Sequence, residues 1–119
     1  MKKTLVFGVS LKPERYSNLA VKRLVEKNIE TVAYGLRRGT VSNIEISTKL
    51  DDFQNIHTIT LYLGSKNQRE YYQTIIQLKP KRVIFNPGTE NPEFYKLLKS
   101  NKIEVEVACT LVLLATGQY

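Results

Sequence analysis

Short apolar runs of strand length alternate along this chain with segments whose apolar residues recur at helical spacing. Strands are predicted over residues 4–9, 31–34, 58–63, 82–86 and 103–107, and helices over 17–27, 65–78, 92–101 and 110–116. Strands that alternate with helices pair in parallel through right-handed crossovers. The pattern therefore predicts a single α/β domain over residues 1–119, built as a three-layer, doubly wound, mainly parallel sheet.

Residues typical of helix starts lie at the beginning of three of the predicted helices. They are Ser17 or Asn18, Ser65 with Gln68 in a capping-box pattern, and Asn91 before Pro92. Residues 36–56 are less regular, and we expect a short strand over 41–47 and a turn over 50–53 there.

Composition narrows the class of protein. No apolar run approaches the ~20 residues of a membrane span, and the segment after Met1 is too short for a signal peptide, so we expect a cytoplasmic protein without membrane contact. The single cysteine, Cys109, excludes an internal disulfide and a multi-cysteine metal site. The net charge of +7 lies on helix faces without a nucleic-acid-binding signature. We therefore expect a small anionic ligand and no nucleic acid.

Four of the predicted strands end at or next to a glycine: Gly8, Gly35, Gly64 and Gly88. The carboxyl ends of parallel strands share one edge of the sheet, where ligands of doubly wound proteins bind. Glycine allows the backbone to approach another molecule closely. These glycines indicate a ligand crevice along that edge.

The most obvious ligand for such a crevice, a nicotinamide dinucleotide, does not fit. Its G-x-G-x-x-G fingerprint would fall on Gly8, Ser10 and Pro13, of which the last two fail. The acid expected after the second strand is also missing, because "AYGLRRG" carries Arg37 and Arg38 instead. Arginines at this place suit a phosphate on the adenosine ribose, which NADP and coenzyme A both carry.

The long loop after Gly8 is suited to phosphate groups. The helix that follows it offers unpaired N–H groups and a partial positive charge at its start. Ser10 and Ser17 add hydroxyl groups, and Lys12 and Arg15 add cations. We therefore expect this loop to wrap a pyrophosphate.

The segments "VFGVSLKPERYSNLAVKRLVEK", "VAYGLRRG", "TLYL", "VIFNPGTENPE" and "VEVACT" together resemble the small coenzyme-A-binding proteins. They are also similar to the domain that opens the alpha subunit of succinyl-CoA synthetase. The resemblance implies a Rossmann-like domain that holds coenzyme A across the strand ends, without a nicotinamide redox role. The family's Asn-Pro after the second strand and proline after the third are replaced by Gly35-Leu36 and Gly64.

Taken together, the pattern and the resemblance imply one set of ligand-contacting residues. They are Gly8, Val9, Ser10, Lys12, Arg15, Tyr16, Ser17, Gly35, Arg37, Arg38, Leu63, Gly64, Asn86, Pro87 and Gly88.

Catalytic residues are harder to find. His57 is expected on the edge opposite the crevice, and Asp51 and Asp52 diverge because they are adjacent. Cys109, which matches the family's late cysteine, is the remaining candidate, since a helix start there could activate its thiol. A lone cysteine is more often a small buried apolar residue, and we favour that interpretation.

We therefore expect a module that binds coenzyme A or an acyl-CoA, with no catalysis evident. One alternative is an enzyme or redox sensor that uses an NADP-like nucleotide and Cys109. Another is an interaction subunit with a vestigial pocket. The apolar tail "TLVLLATGQY" has little to cover it and suggests a homodimer contact.

Overall fold

The computed structural model describes residues 2–119, which form a seven-stranded sheet with helices on both faces. The strands are β1 (Thr4–Phe7), β2 (Thr31–Tyr34), β3 (Gly39–Val41), β4 (Ile44–Ser47), β5 (Thr58–Leu61), β6 (Arg82–Phe85) and β7 (Glu104–Val107). The helices are α1 (Tyr16–Glu26), α2 (Tyr72–Gln77), α3 (Pro92–Ser100) and α4 (Thr110–Ala115), with 3₁₀ turns at Leu50–Asp52, Ser65–Asn67 and Arg69–Tyr71. Within residues 2–119, no helix has the length and apolar character needed to cross a membrane.

The strand order is β3-β4-β2-β1-β5-β6-β7, and every neighbouring pair is parallel except β3 with β4. Central β1 places Phe7 opposite both Tyr34 of β2 and Leu61 of β5. The chain builds outward from β1 on one side, then returns to β5 and builds outward on the other. The predicted three-layer, doubly wound sheet is confirmed, and its topological switch point lies between β1 and β5.

Two apolar clusters fix the layers. On one face, Phe7 packs in a cluster with Phe94 of α3, and both side chains are fully buried. On the other face, Val6 packs with Val21 and Leu24 of α1. Each large side chain buried in this way stabilises the fold by about 1.5–3 kcal/mol. Alternate side chains of β1 therefore pack against a helix layer on each face of the sheet. This packing holds α1 beside the end of β1.

The stretch predicted as one strand over 41–47 is two strands. Ser42 and Asn43 adopt φ values of +49° and +64° and join β3 to β4 as an antiparallel hairpin. Two successive residues with positive φ are characteristic of a type I′ turn, whose twist matches that of the paired strands. The single-strand prediction was wrong because Ser-Asn is a weaker turn signal than Asn-Gly.

Of the three predicted helix caps, only that of α3 is confirmed. There the Asn91 side chain accepts a hydrogen bond from the Phe94 N–H, with Pro92 at the first helical position. The capping box at Ser65 is absent, because Gln68 is fully buried and donates instead to the carbonyls of Leu63 and Thr89. Two 3₁₀ turns therefore precede a short α2.

The predicted cap of α1 was also wrong. The helix begins at Tyr16, and Arg15 occupies the cap position without a side-chain hydrogen bond. Ser17 and Asn18 both lie inside the first turn and are buried.

The apolar tail packs in part against its own domain. Leu113 and Leu114 are buried, and Val112 is exposed. The ring of Tyr119 lies 4.5 Å from the Arg82 guanidinium, and its hydroxyl hydrogen-bonds the Thr4 side chain. The tail folds back across the sheet because α1 and the amino ends of the strands offer it a surface.

Candidate functional site

A crevice lies above the carboxyl ends of β1, β5 and β6, beside the switch point. Its cavity has a volume of about 380 Å³. It is lined by Gly8, Ser10, Lys12, Arg15, Tyr16, Ser17, Tyr62, Gly64, Pro87, Gly88 and Thr89. All of these except Tyr62 and Thr89 were predicted from the sequence. The structure thus brings together the loop after β1 and the turn after β6.

Glycine conformation shapes both sides of this crevice. Gly8 and Gly88 have φ values of +99° and +93°, which side-chain-bearing residues rarely adopt. A Cβ atom at Gly88 would have no heavy atom within 4 Å, so its backbone faces open space. Gly35 has a different role, because a Cβ there would lie 2.6 Å from the Val9 carbonyl oxygen. It permits close packing next to the crevice and does not line the cavity.

The loop after β1 is anchored at Ser10. The Ser10 N–H donates to Ser17 Oγ at 3.0 Å, and Asn18 Nδ2 donates to the Ser10 carbonyl at 2.9 Å. Ser10 Oγ accepts a hydrogen bond from the Lys12 N–H at 3.1 Å. The first turn of α1 therefore holds both backbone polar groups of Ser10.

The electrostatics of this side of the crevice favour an anion. Lys12 and Arg15 line the cavity with exposed side chains. No acidic residue lies in the first turn of α1, whose 11 residues align their peptide dipoles with the amino end at Tyr16 and Ser17. A phosphate placed here would meet cations and unpaired N–H groups together.

A second cavity, of about 400 Å³, lies on the other side of the same loop and shares Gly8, Ser10 and Lys12 with the first. Its remaining lining is mostly apolar: Val9, Leu11, Leu36, Arg37 and Leu63. Leu36 is 81% exposed, which is unusual for so large an apolar side chain. The two cavities together suit an elongated ligand with an anionic part and a less polar part.

The two predicted arginines are separated by the structure. Arg37 lines the apolar cavity, whereas Arg38 lines another cavity next to the β3–β4 hairpin with Glu45, Ser47 and Asp52. Residues 36 and 37 form a bend between β2 and β3, and the chain changes direction there before it reaches Arg38. Of the two arginines, only Arg37 lines a cavity formed by the Ser10 loop.

Asn86 was predicted to contact the ligand, but its side chain makes hydrogen bonds within the fold. It is buried, its Nδ2 donates to Thr60 Oγ1 and to the Leu61 carbonyl, and its Oδ1 accepts the Thr110 N–H. These bonds tie the end of β6 to β5 and α4. The adjacent Pro87 and Gly88 are exposed and remain in the crevice.

Sequence reasoning missed Tyr62 and Thr89. Tyr62 lay inside the strand predicted over residues 58–63, but β5 ends at Leu61. Its pKa is raised to about 12, chiefly because the phenol is buried, while the Thr60 and Thr110 hydroxyls act in the opposite direction. Its hydroxyl therefore stays protonated at neutral pH.

The candidate catalytic residues lie apart from both cavities. Cys109 is half-buried at the cap position of α4, makes no capping hydrogen bond and lines neither cavity. His57 precedes β5, so it lies at the amino edge of the sheet as predicted. Among residues 2–119, no three His, Cys, Asp or Glu side chains group as metal ligands.

Comparison with known proteins places the chain in a family. A family model described as a CoA binding domain matches residues 2–115. The crystal structure of an uncharacterized protein is 42% identical, with a TM-score of 0.96 over 100% of this chain and 98% of that one. A hypothetical protein from Pyrococcus horikoshii OT3 is 26% identical, with a TM-score of 0.83 over 93% and 80% of the two chains. A Thermus thermophilus protein, 20% identical, shares the fold with a TM-score of 0.86 over 99% and 91%. No protein of curated function matches.

Proposed function

This chain belongs to the family of CoA binding domains, and we propose that its ligand is coenzyme A or an acyl-CoA held across the carboxyl ends of the strands. The observation that carries the proposal is the pair of cavities flanking the Ser10 loop. One is lined by cations and a helix start, and the other by apolar side chains and Arg37. Coenzyme A combines the same features, since its diphosphate lies between an adenosine 3′-phosphate and an uncharged pantetheine arm.

The charges of the residues that line the two cavities support one orientation of coenzyme A. The diphosphate belongs beside Lys12 and Arg15, where the cations and the first turn of α1 meet. The adenosine end then lies in the apolar cavity, where Arg37 is placed to pair with the 3′-phosphate.

The pantetheine arm extends to the opposite side, past the turn after β6. There the Gly88 N–H already donates to the Glu90 carboxylate at 2.9 Å. An acidic side chain at this end disfavours phosphate and is compatible with an uncharged arm. The open backbone at Gly64 and Gly88 leaves room for it.

Titration calorimetry with four ligands tests the proposal. Coenzyme A should bind most tightly, and dephospho-coenzyme A about tenfold more weakly, because one charge-assisted contact is lost. NAD should bind still more weakly, since no acid follows β2 to hold its ribose and the second and third fingerprint glycines are missing. NADP shares the ribose phosphate but lacks the pantetheine arm, so it should also bind more weakly than coenzyme A. Absence of coenzyme A binding, or tighter binding of NADP, would overturn the proposal.

A further inference from the structure

We propose that Ser17 and Asn18 are positioning residues, which set the phosphate-binding loop by holding the backbone of Ser10 and do not act as ligand contacts. This inference rests on the proposed function, because the loop has a phosphate to bind only if coenzyme A is the ligand. It also revises the role expected for Ser17, whose hydroxyl was predicted to face the phosphates.

The contacts pair the two side chains with opposite backbone groups of one residue. Ser17 Oγ accepts the Ser10 N–H at 3.0 Å, and Asn18 Nδ2 donates to the Ser10 carbonyl at 2.9 Å. Ser17 and Asn18 are 5% and 2% exposed, so the side-chain partner in each hydrogen bond is buried, whereas Ser10 itself is partly exposed. Holding the N–H and the carbonyl together fixes the peptide planes on each side of Ser10.

The residues that hold Ser10 are themselves on a rigid support. Ser17 and Asn18 lie in the first turn of α1, and Val21 and Leu24 of the same helix are fully buried against the sheet. The position of Ser10 relative to the end of β1 is therefore set by the core. The backbone of Lys12 is held in turn by Ser10, because the Lys12 N–H donates a hydrogen bond to Ser10 Oγ. A binding group held from a packed helix keeps its geometry better than one on an unsupported loop.

Asn18 carries a feature that a purely structural residue would not need. Its Oδ1 is a buried side-chain acceptor without a hydrogen-bond partner, the one such atom found among residues 2–119. Rotating the amide would place this oxygen against the Ser10 carbonyl, so the observed orientation is the better one. A buried unpaired acceptor destabilises a fold. Asn18 therefore adds little to the stability of the fold. Its contribution is the hydrogen bond that holds the Ser10 carbonyl in the loop.

Asn86 is a matched control, since it is also a buried asparagine at 2% exposure but has both its oxygen and its nitrogen paired. We expect Asn18→Ala to melt close to the parent, because the lost bond is offset by removal of the unpaired oxygen. We expect Asn86→Ala to melt much lower. Affinity for coenzyme A, measured where each variant is fully folded, should fall on the order of tenfold in Asn18→Ala, as expected for a loosened binding loop.

Two further readouts separate positioning from direct contact. Ser17→Ala should weaken binding similarly, and the Ser17→Ala/Asn18→Ala double variant should be little weaker than either single one, because each change frees the same residue. The loss should be equal for coenzyme A and dephospho-coenzyme A, since the loop meets the diphosphate that both contain. Ser17→Thr, which keeps the hydroxyl oxygen, should restore binding.

Specific results would overturn the inference. Unchanged affinity in Asn18→Ala would do so while leaving coenzyme A binding intact. A melting temperature lowered as far as in Asn86→Ala would show that Asn18 supports the fold. Additive losses in the double variant would show two independent ligand contacts. If the parent protein itself fails to bind coenzyme A, the proposed function fails and this inference fails with it.

Discussion

Asn86 Oδ1 accepts the backbone N–H of Thr110 at a distance of 2.8 Å, and this bond joins the end of β6 to the first turn of α4. The same side chain donates to Thr60 Oγ1 and to the Leu61 carbonyl. One buried amide thus connects two strands and a helix immediately behind the crevice. It holds the Pro87-Gly88 turn in place from below, although it was expected to touch the ligand.

Replacing this amide should cost stability. In Asn86→Ala, the Thr110 N–H loses its cap, and the buried Thr60 and Leu61 acceptors lose a donor. We expect the free energy of unfolding to fall by about 3 kcal/mol, measured by urea denaturation. Asn101→Ala is the control, because Asn101 is exposed at the end of α3 and its loss should cost less than about 1 kcal/mol. Equal midpoints for the two variants would contradict this role for Asn86.

The separation of Arg37 from Arg38 predicts different effects on ligand selectivity. Arg37→Ala should weaken coenzyme A binding about tenfold and leave dephospho-coenzyme A unaffected, because the 3′-phosphate loses its partner. Arg38→Ala removes the same charge from the neighbouring cavity and should change neither affinity by more than about twofold. Calorimetry with both ligands measures the difference. A larger effect of Arg38→Ala would place the 3′-phosphate by the β3–β4 hairpin.

Glu90 should oppose ligand binding. Its carboxylate is exposed and accepts the Gly88 N–H in the crevice, so Glu90→Gln removes a negative charge and weakens that contact. Coenzyme A affinity should rise about two- to fivefold at low salt, and the gain should shrink as salt screens the charge. Glu93→Gln makes the same change in net charge at a residue that pairs with Arg69 outside the crevice. Equal gains in both variants would indicate a general charge effect.

The pH dependence of stability should report on His57. Burial lowers the pKa of its imidazole below 6.5, and Arg82, Lys2 and Lys81 lower it further. The unfolded chain then binds the proton more tightly, so this contribution to stability is complete above pH 6.5 and declines as the pH falls below it.

His57→Asn isolates this contribution. Between pH 7.5 and 5, its melting temperature should fall less than that of the parent, while coenzyme A affinity stays unchanged because His57 lies at the opposite edge. Parallel melting curves for parent and variant would contradict the assignment.

Patterns that depend on local periodicity were predictable from the sequence. Buried runs such as that of β1, together with the glycine after it, predicted the sheet and the edge at which the crevice lies. The hydrogen-bond partners of individual side chains were harder to predict. From the sequence, Gln68 is compatible with a capping box and also with a buried side chain that hydrogen-bonds two carbonyls. Only its tertiary neighbours, the carbonyls of Leu63 and Thr89, decide between the two. Likewise, the side to which Arg37 points depends on where β2 ends in the sheet. The sequence could place residues at the crevice edge, but not distinguish those that face it from those that support it.

We have proposed that coenzyme A occupies the crevice at the carboxyl edge of the sheet. Backbone amide NMR during a coenzyme A titration tests it most directly, because each N–H reports its own surroundings. Coenzyme A bound there should cause large, saturable shifts at Gly8, Ser10 and Gly88, while the signals of His57 and Lys81 at the amino edge stay unmoved. Shifts concentrated at His57 and Lys81, or none at saturating coenzyme A, would contradict it.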